Sequence, residues 1–278
     1  MLDDIYMEGQ LSKNDDLAFL RLFKEYKHSE QKISFLYSDE KSKELKRLRE
    51  EFDLDSIAGS GPELKRITRL RNWVYQSLKS DSRDFYNVKK DEKTPWNTFY
   101  IFDVFNHKPF LVDCGTSALV MTEVMLAMGW KARWIQCLPF DLRYNESHCI
   151  SHVWSNDYNK WIIVDAAQDL FYFNKEAIPF GIPDLRDAII GNERVLIYSN
   201  NQKATGREWL KNYWIKNIFR FHCLTKSCFS MFDQDSIDHI YLNPKGYDIT
   251  NKVIDKEGKT ETHIHIQDDE AFWEVNDQ

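Results

Sequence analysis

Leu64, Ile67, Leu70, Val74 and Leu78 recur at three- and four-residue steps, a spacing that predicts an amphipathic helix with one buried face. It starts after Ser60-Gly61-Pro62-Glu63, where proline suits a first turn, and it stops near the polar run Lys79–Asp84. The sixty residues before it are rich in charge and also read as helices. Leu17, Leu20 and Phe23 share helical spacing there, and Leu45, Leu48 and Phe52 repeat it. Residues 85–113 read as irregular, with Pro95 and Pro109 among aromatic side chains. From Cys114 to Met128 the apolar residues nearly encircle a helical axis, which predicts a helix enclosed on most sides. Gly129 is placed to stop it.

The period then shortens. Ala132–Leu138, His148–Ser155 and Trp161–Ala166 read as strands, the last two joined by a turn at Asn156–Lys160. A helix followed by consecutive short strands implies an α+β fold with an antiparallel sheet. Beyond residue 175, Pro179 and Pro183 bound a loop, Arg207–Phe221 reads as an aromatic helix and Glu261–Ile266 as a strand. The expected organisation is an N-terminal helical segment (1–60), a core (61–175) and a C-terminal α+β extension packed on that core (176–278).

Composition narrows the function classes. The chain is 42% hydrophobic and 14% aromatic over 278 residues, enough to bury a large core. A net charge of −7 argues against a nucleic-acid partner, which needs a basic surface. The basic cluster Lys43–Arg49 is interleaved with Glu44, Leu45 and Leu48, the mark of a solvated helix face. No run is long enough for a membrane span, and the start Met-Leu-Asp-Asp lacks the features of a secretory signal. Five cysteines are too few and too scattered for a disulfide scaffold, so reduced thiols in the cytoplasm are expected.

One of those cysteines is positioned for chemistry. A thiolate is a nucleophile, and Cys114 opens the longest buried helix, where the helix dipole favours negative charge. Gly115 beside it leaves room for a substrate backbone. Taken singly, Cys114 would read as a core thiol, His148 as a satisfied histidine and Asp165 as a strand-end residue. Together they read differently. A hairpin centred near residues 156–157 sets His148 opposite Asp165, so a base and its orienting carboxylate become neighbours.

The run Asp113-Cys114-Gly115-Thr116-Ser117-Ala118, then Gly129-Trp130-Lys131-Ala132-Arg133, then His148 and Trp161-Ile162-Ile163-Val164-Asp165 resembles the core of the transglutaminase-like superfamily. The resemblance is clear over residues 98–168 and fainter through the helix at 62–79. It implies a papain-like or transglutaminase-like fold, with the nucleophile helix packed on an antiparallel sheet, and acyl transfer through a thioester. It also implies Cys114 as nucleophile, His148 as general base and acid, and Asp165 as the residue orienting the imidazole. Arg133 matches a family position and reads as structural. The chain departs from the family at Ala166-Ala167, where proline is common, and at His152, where glutamate is common. His152 shares a strand face with His148 and competes for the base role; the spacing to Asp165 favours His148.

The expected activity is hydrolysis of a peptide or protein amide, without a cofactor or metal. Protein cross-linking, or a non-catalytic peptide-binding module on the same fold, are the alternatives. Cys137, His148, Cys149 and His152 do not form a plausible zinc set, because residues 148 and 149 point to opposite strand faces. Cys223 and Cys228 read as core thiols, and His263 and His265 lack a third ligand nearby in sequence. Trp96 and Asn97 lie where the family places an oxyanion donor, and the backbone N–H of Cys114 can supply one donor itself.

Overall fold

A computed structural model describes residues 2–6, 16–30, 32–79, 95–141, 146–200, 207–256 and 259–275. The N-terminal part contains strand β1 (Leu2–Tyr6), helix α1 (Asp16–Leu22), strand β2 (Leu36–Tyr37), and helices α2 (Lys43–Glu51) and α3 (Leu54–Ala58). The expected all-helical segment therefore includes two strands, and each pairs with a distant partner. Helix α4 (Glu63–Ser77) follows the predicted period. Helix α5 (Thr98–His107) then occupies a stretch expected to be irregular. Its start is fixed by Asn97, whose side-chain oxygen accepts from the Tyr100 N–H, and Ile101, Phe102 and Phe105 are buried.

Helix α6 (Cys114–Ala127) is buried from Thr116 to Ala127, as its encircling apolar residues require. Asp113 caps it by accepting from the Thr116 N–H at 2.7 Å. Gly129 ends it at φ 86°, a left-handed conformation that a side chain would strain. The strands β3 (Ala132–Leu138), β4 (His148–Ser155) and β5 (Lys160–Val164) come next. The remaining elements are β6 (Leu170–Phe173), α7 (Ile182–Gly191), β7 (Arg194–Ser199), α8 (Arg207–Asn217), β8 (Arg220–Leu224), β9 (Lys226–Ser227), β10 (Ser236–Leu242), β11 (Lys252–Lys256), β12 (Lys259–Ile266) and α9 (Asp269–Trp273), with a 3₁₀ turn at Met231–Asp233. The helix expected over Arg207–Phe221 is shorter than its aromatic run, because Arg220 and Phe221 enter β8 and pair with β3.

The central sheet has seven strands in the order β11-β12-β10-β8-β3-β4-β5. Its neighbours are antiparallel except β10 and β12, which run parallel. The strands beyond residue 220 thus continue the sheet begun by β3–β5. One core lies on the sheet face that packs against α2–α6 and contains Ala132, Trp134, Val153, Ile162 and Val164. A second core covers the opposite face with residues of α1, α7, α8 and α9, and contains Ile135, Ile150 and Ile163. Strand alternation sends Cys149 to the first face and His148 to the second. The mixture of helices and sheets is the expected α+β, transglutaminase-like arrangement. Among the described residues, no helix is long and apolar enough to cross a membrane.

Two polar anchors, half-buried Glu63 and buried Arg133, brace the sheet around the site. Glu63, at the start of α4, accepts from the Trp130 indole, the Ser155 hydroxyl and the Asn156 and Asp157 N–H groups. Arg133 donates to the Tyr37 hydroxyl and to the Phe272 and Glu274 carbonyls, with its guanidinium 3.6 Å from the Phe35 ring centroid. The arginine ties the C-terminal helix to the sheet.

Candidate active site

Cys114 is the first residue of α6 and is half-buried, whereas Cys137, Cys149, Cys223 and Cys228 are buried. Its sulfur comes from the layer above the sheet; His148 and Asp165 face the layer below. They meet because His148 is the first residue of β4, where a group at the strand end is reachable from both faces. Cys149, on the other face, also reaches the same sulfur, so residues 148 and 149 flank one thiol although their side chains diverge.

Nε2 of His148 is 2.8 Å from Oδ2 of Asp165, with both side chains buried. The hairpin register pairs Ser151 with Val164 and Ser155 with Lys160, so Asp165 stands level with Ile150 and not with His148. The expected centre at 156–157 is displaced by one residue, which shifts the register by two and leaves both side chains on the same face. Asp165 is held on several sides. Oδ1 accepts from the Gln168 N–H at 3.1 Å, and the Tyr172 hydroxyl is 3.4 Å from Oδ2. The Trp214 indole donates to the Tyr172 oxygen at 2.8 Å, completing a chain from α8 to the carboxylate. Next to it lies a buried ion pair, with Nε of Arg71 donating to Oδ1 of Asp169 at 2.9 Å.

The electrostatics favour a charged thiolate–imidazolium pair. Cys114 is drawn down to about 5, chiefly by a hydrogen bond from Cys149; burial opposes this, and the hydrogen bond and charge of His148 add to it. Burial alone would push His148 down, but the charge and hydrogen bond of Asp165, with help from Cys114, raise it to about 10. Cys149 is driven well above the ordinary thiol range by its contact with Cys114 and by burial, so it remains a neutral donor. The His148 ring is also wedged between Tyr213 and Trp214, with centroids 5.1 Å away in each case. The Tyr213 hydroxyl donates to the Ser147 carbonyl at 3.1 Å and lies 3.4 Å from Nδ1 of His148.

His152 is placed differently. Its Nε2 accepts from the Ile182 N–H at 3.2 Å, and its ring stacks on Trp161. Burial, together with Arg133 and Lys160, holds it well below the ordinary histidine range, so it stays neutral. Asn97 and Trp96 are engaged in structure: Asn97 caps α5 and donates to Ser230, and the Trp96 N–H donates to Asp233. Cys137 is fully buried and is pushed well above the ordinary thiol range by that burial. Tyr172, Tyr213 and Trp214 are neighbours of His148 and Asp165 that the sequence did not single out, and Cys149 was weighed there only as a metal ligand. Only the aromatic richness of 207–221 hinted at the two from α8.

Residues 51–166 match the family model described as the transglutaminase-like superfamily. Cys114, His148 and Asp165 all fall within that match. A crystal structure from Cytophaga hutchinsonii, provisionally named a cysteine protease, is similar at 15% identity and a TM-score of 0.32. The alignment covers 72% of this chain, which spans only 58% of that protein. No curated protein matches the chain in sequence.

Proposed function

We propose that this protein is a cysteine-dependent acyl-transfer enzyme that hydrolyses peptide or protein amides through a thioester. The observation that carries the reading is the Cys114 thiol at a helix start, drawn down in part by the neighbouring His148, whose Nε2 is fixed 2.8 Å from Asp165.

The Cys114 thiolate attacks the amide carbonyl carbon, forming a C–S bond as the carbonyl electrons move to oxygen. The backbone N–H of Cys114, at the start of α6, can donate to that developing oxyanion. As the intermediate collapses, the C–N bond breaks and the leaving amine takes a proton from the His148 nitrogen that faces the sulfur, while Asp165 keeps the ring oriented. Water then attacks the thioester, giving its proton to His148, and the carboxylic acid leaves as the thiolate re-forms. Replacement of water by an amine at the second step would give transamidation at the same site. Hydrolysis is preferred, because water needs no acceptor-binding segment of its own and the sequence singles none out.

The test is incubation with p-nitrophenyl acetate, following nitrophenolate release and locating the acetyl group by peptide mass spectrometry. A burst with acetyl on Cys114, lost in Cys114→Ala and His148→Ala, is the expected result. Acylation that persists in both variants would overturn the reading.

A further inference from the structure

The α6 side of the seven-stranded sheet carries a second group of imidazoles on its C-terminal strands. His222 of β8, His239 and Tyr241 of β10, and His263 and His265 of β12 share that face by strand alternation. Their rings stack across the strands, His239 on His263 at 4.5 Å and 5° and His222 on His239 at 5.0 Å. The sequence left His263 without a third ligand. The parallel register supplies one by setting His239 beside His263, and Glu261, two residues earlier on β12, lies on the same face.

The ring nitrogens are oriented in a consistent way. Nδ1 of His222 is 3.1 Å from the Gln136 amide oxygen, which only accepts, so His222 carries its proton there. Its Nε2 is then a lone pair, 2.9 Å from Nδ1 of His239, which must be the protonated nitrogen of that ring. Nε2 of His239 is left as a lone pair. Nδ1 of His263 lies 3.1 Å from the Tyr241 hydroxyl, which can accept from it and leave Nε2 of His263 as a lone pair too. Both Nε2 atoms are buried and have no hydrogen-bond partner among the described residues. Nε2 of His263 is 3.6 Å from the Glu261 carboxylate, and one ligand atom from each of His239, Glu261 and His263 lies within 4.8 Å of the others.

We propose that His239, Glu261 and His263 bind a divalent transition-metal ion of the zinc class through two imidazole nitrogens and a carboxylate oxygen. That donor set suits zinc and its neighbours, and three protein ligands leave a further coordination position open. Each imidazole ligand has a partner on its other nitrogen, His222 for one and Tyr241 for the other, as ligating histidines normally do. A simple packing ladder would also stack the rings, but it gives no reason for two buried lone pairs to converge beside a carboxylate. The site draws on strands β10 and β12 and is independent of the thiol chemistry.

The test uses chelator-treated full-length protein titrated with Co²⁺, read by visible d–d absorption, and with Zn²⁺, read by calorimetry. One saturable equivalent is expected, with the cobalt bands displaced by zinc. His263→Ala and Glu261→Gln should each weaken binding at least ~10-fold, and Tyr241→Phe should weaken it by about 10–100-fold by releasing the outer partner of His263. His265→Ala, whose ring lies outside the ligand set, should bind as wild type does. Glu261 is partly exposed, so Glu261→Gln reports on the site even if a histidine variant misfolds. Absence of saturable binding, or equal affinity in Glu261→Gln and wild type, would overturn the proposal. So would loss of binding in Cys114→Ser, since that would put the ion at the thiol.

Discussion

His148 and Asp165 are joined diagonally across the β4–β5 hairpin, Nε2 to Oδ2 at 2.8 Å, although the register places Asp165 level with Ile150. Because the offset is two residues, the side chains stay on one face, and the long imidazole spans the gap along the strand. The diagonal commits Nε2 to the carboxylate and leaves Nδ1 on the other edge of the ring, 3.4 Å from the Tyr213 hydroxyl. A one-residue slip would have sent Asp165 to the opposite face and left the imidazole with no carboxylate.

Cys114 should be the most reactive thiol. It is half-buried with a value of about 5, whereas Cys223 is pushed up to about 12 and Cys228 to about 11, in each case chiefly by burial. The thiolate is the reactive form, so the rate of iodoacetamide alkylation should rise with pH through about 5 and level off above it. Peptide mapping after a short pulse at pH 6–7 should find the label on Cys114. Equal labelling of Cys137 would show that the helix start confers no reactivity.

Asp165→Asn should raise the midpoint of that profile and slow acylation at neutral pH. The carboxylate favours the protonated imidazole, which in turn favours the thiolate; removing the charge weakens both. The loss should be at least ~10-fold, the low end for a positioned base, with circular dichroism unchanged. Profiles that superimpose would reduce Asp165 to a strand-end residue.

The two histidines should separate cleanly. His148→Ala should abolish acylation of Cys114. His152→Ala should preserve it and cost stability instead, because the Ile182 N–H loses its acceptor, a penalty of about 1–3 kcal/mol for a buried donor. Urea unfolding and acylation rates measured on both variants check this. Acylation lost only in His152→Ala would move the base role there.

How much of this the sequence revealed follows from the range of each interaction. Helix α6 and strands β3 and β4 begin where periodicity places them, because that signal is local. Cys114 and His148 open α6 and β4, so local signals placed them, and Asp165 follows the last residue of β5. Helix α5 was not legible, since Thr98–His107 mixes aromatic and β-branched residues of weak helix preference and owes its form to the Asn97 cap and to burial. The β10–β12 pairing joins strands through a parallel crossover that spacing does not encode, so His239 and His263 gave no hint of proximity. Tyr213 and Trp214 reach His148 from 65 and 66 residues away, a contact that only tertiary packing creates.

The last prediction concerns the ion pair beside Asp165. Arg71 and Asp169 are both fully buried, and Nε of Arg71 donates to Oδ1 of Asp169 at 2.9 Å while its guanidinium lies 4.2 Å from the Phe171 centroid. Burial pulls Arg71 down, and the charges of Asp169 and Asp165 pull it back up, so the cation is held by two carboxylates. Asp169→Asn keeps the shape and removes the nearer charge, leaving a buried guanidinium compensated mainly by Asp165. Breaking one side of such a pair costs about 3–5 kcal/mol, much of it from the charge left behind. Arg71→Met should cost a similar amount for the mirror reason. Removing both charges relieves the stranded partner, so the double variant should lose clearly less than the two single losses added together. Equilibrium urea unfolding of the four proteins at pH 7 measures the coupling. If the single losses simply add, the pair is uncoupled, and Arg71 serves the fold through its packing on Phe171 alone.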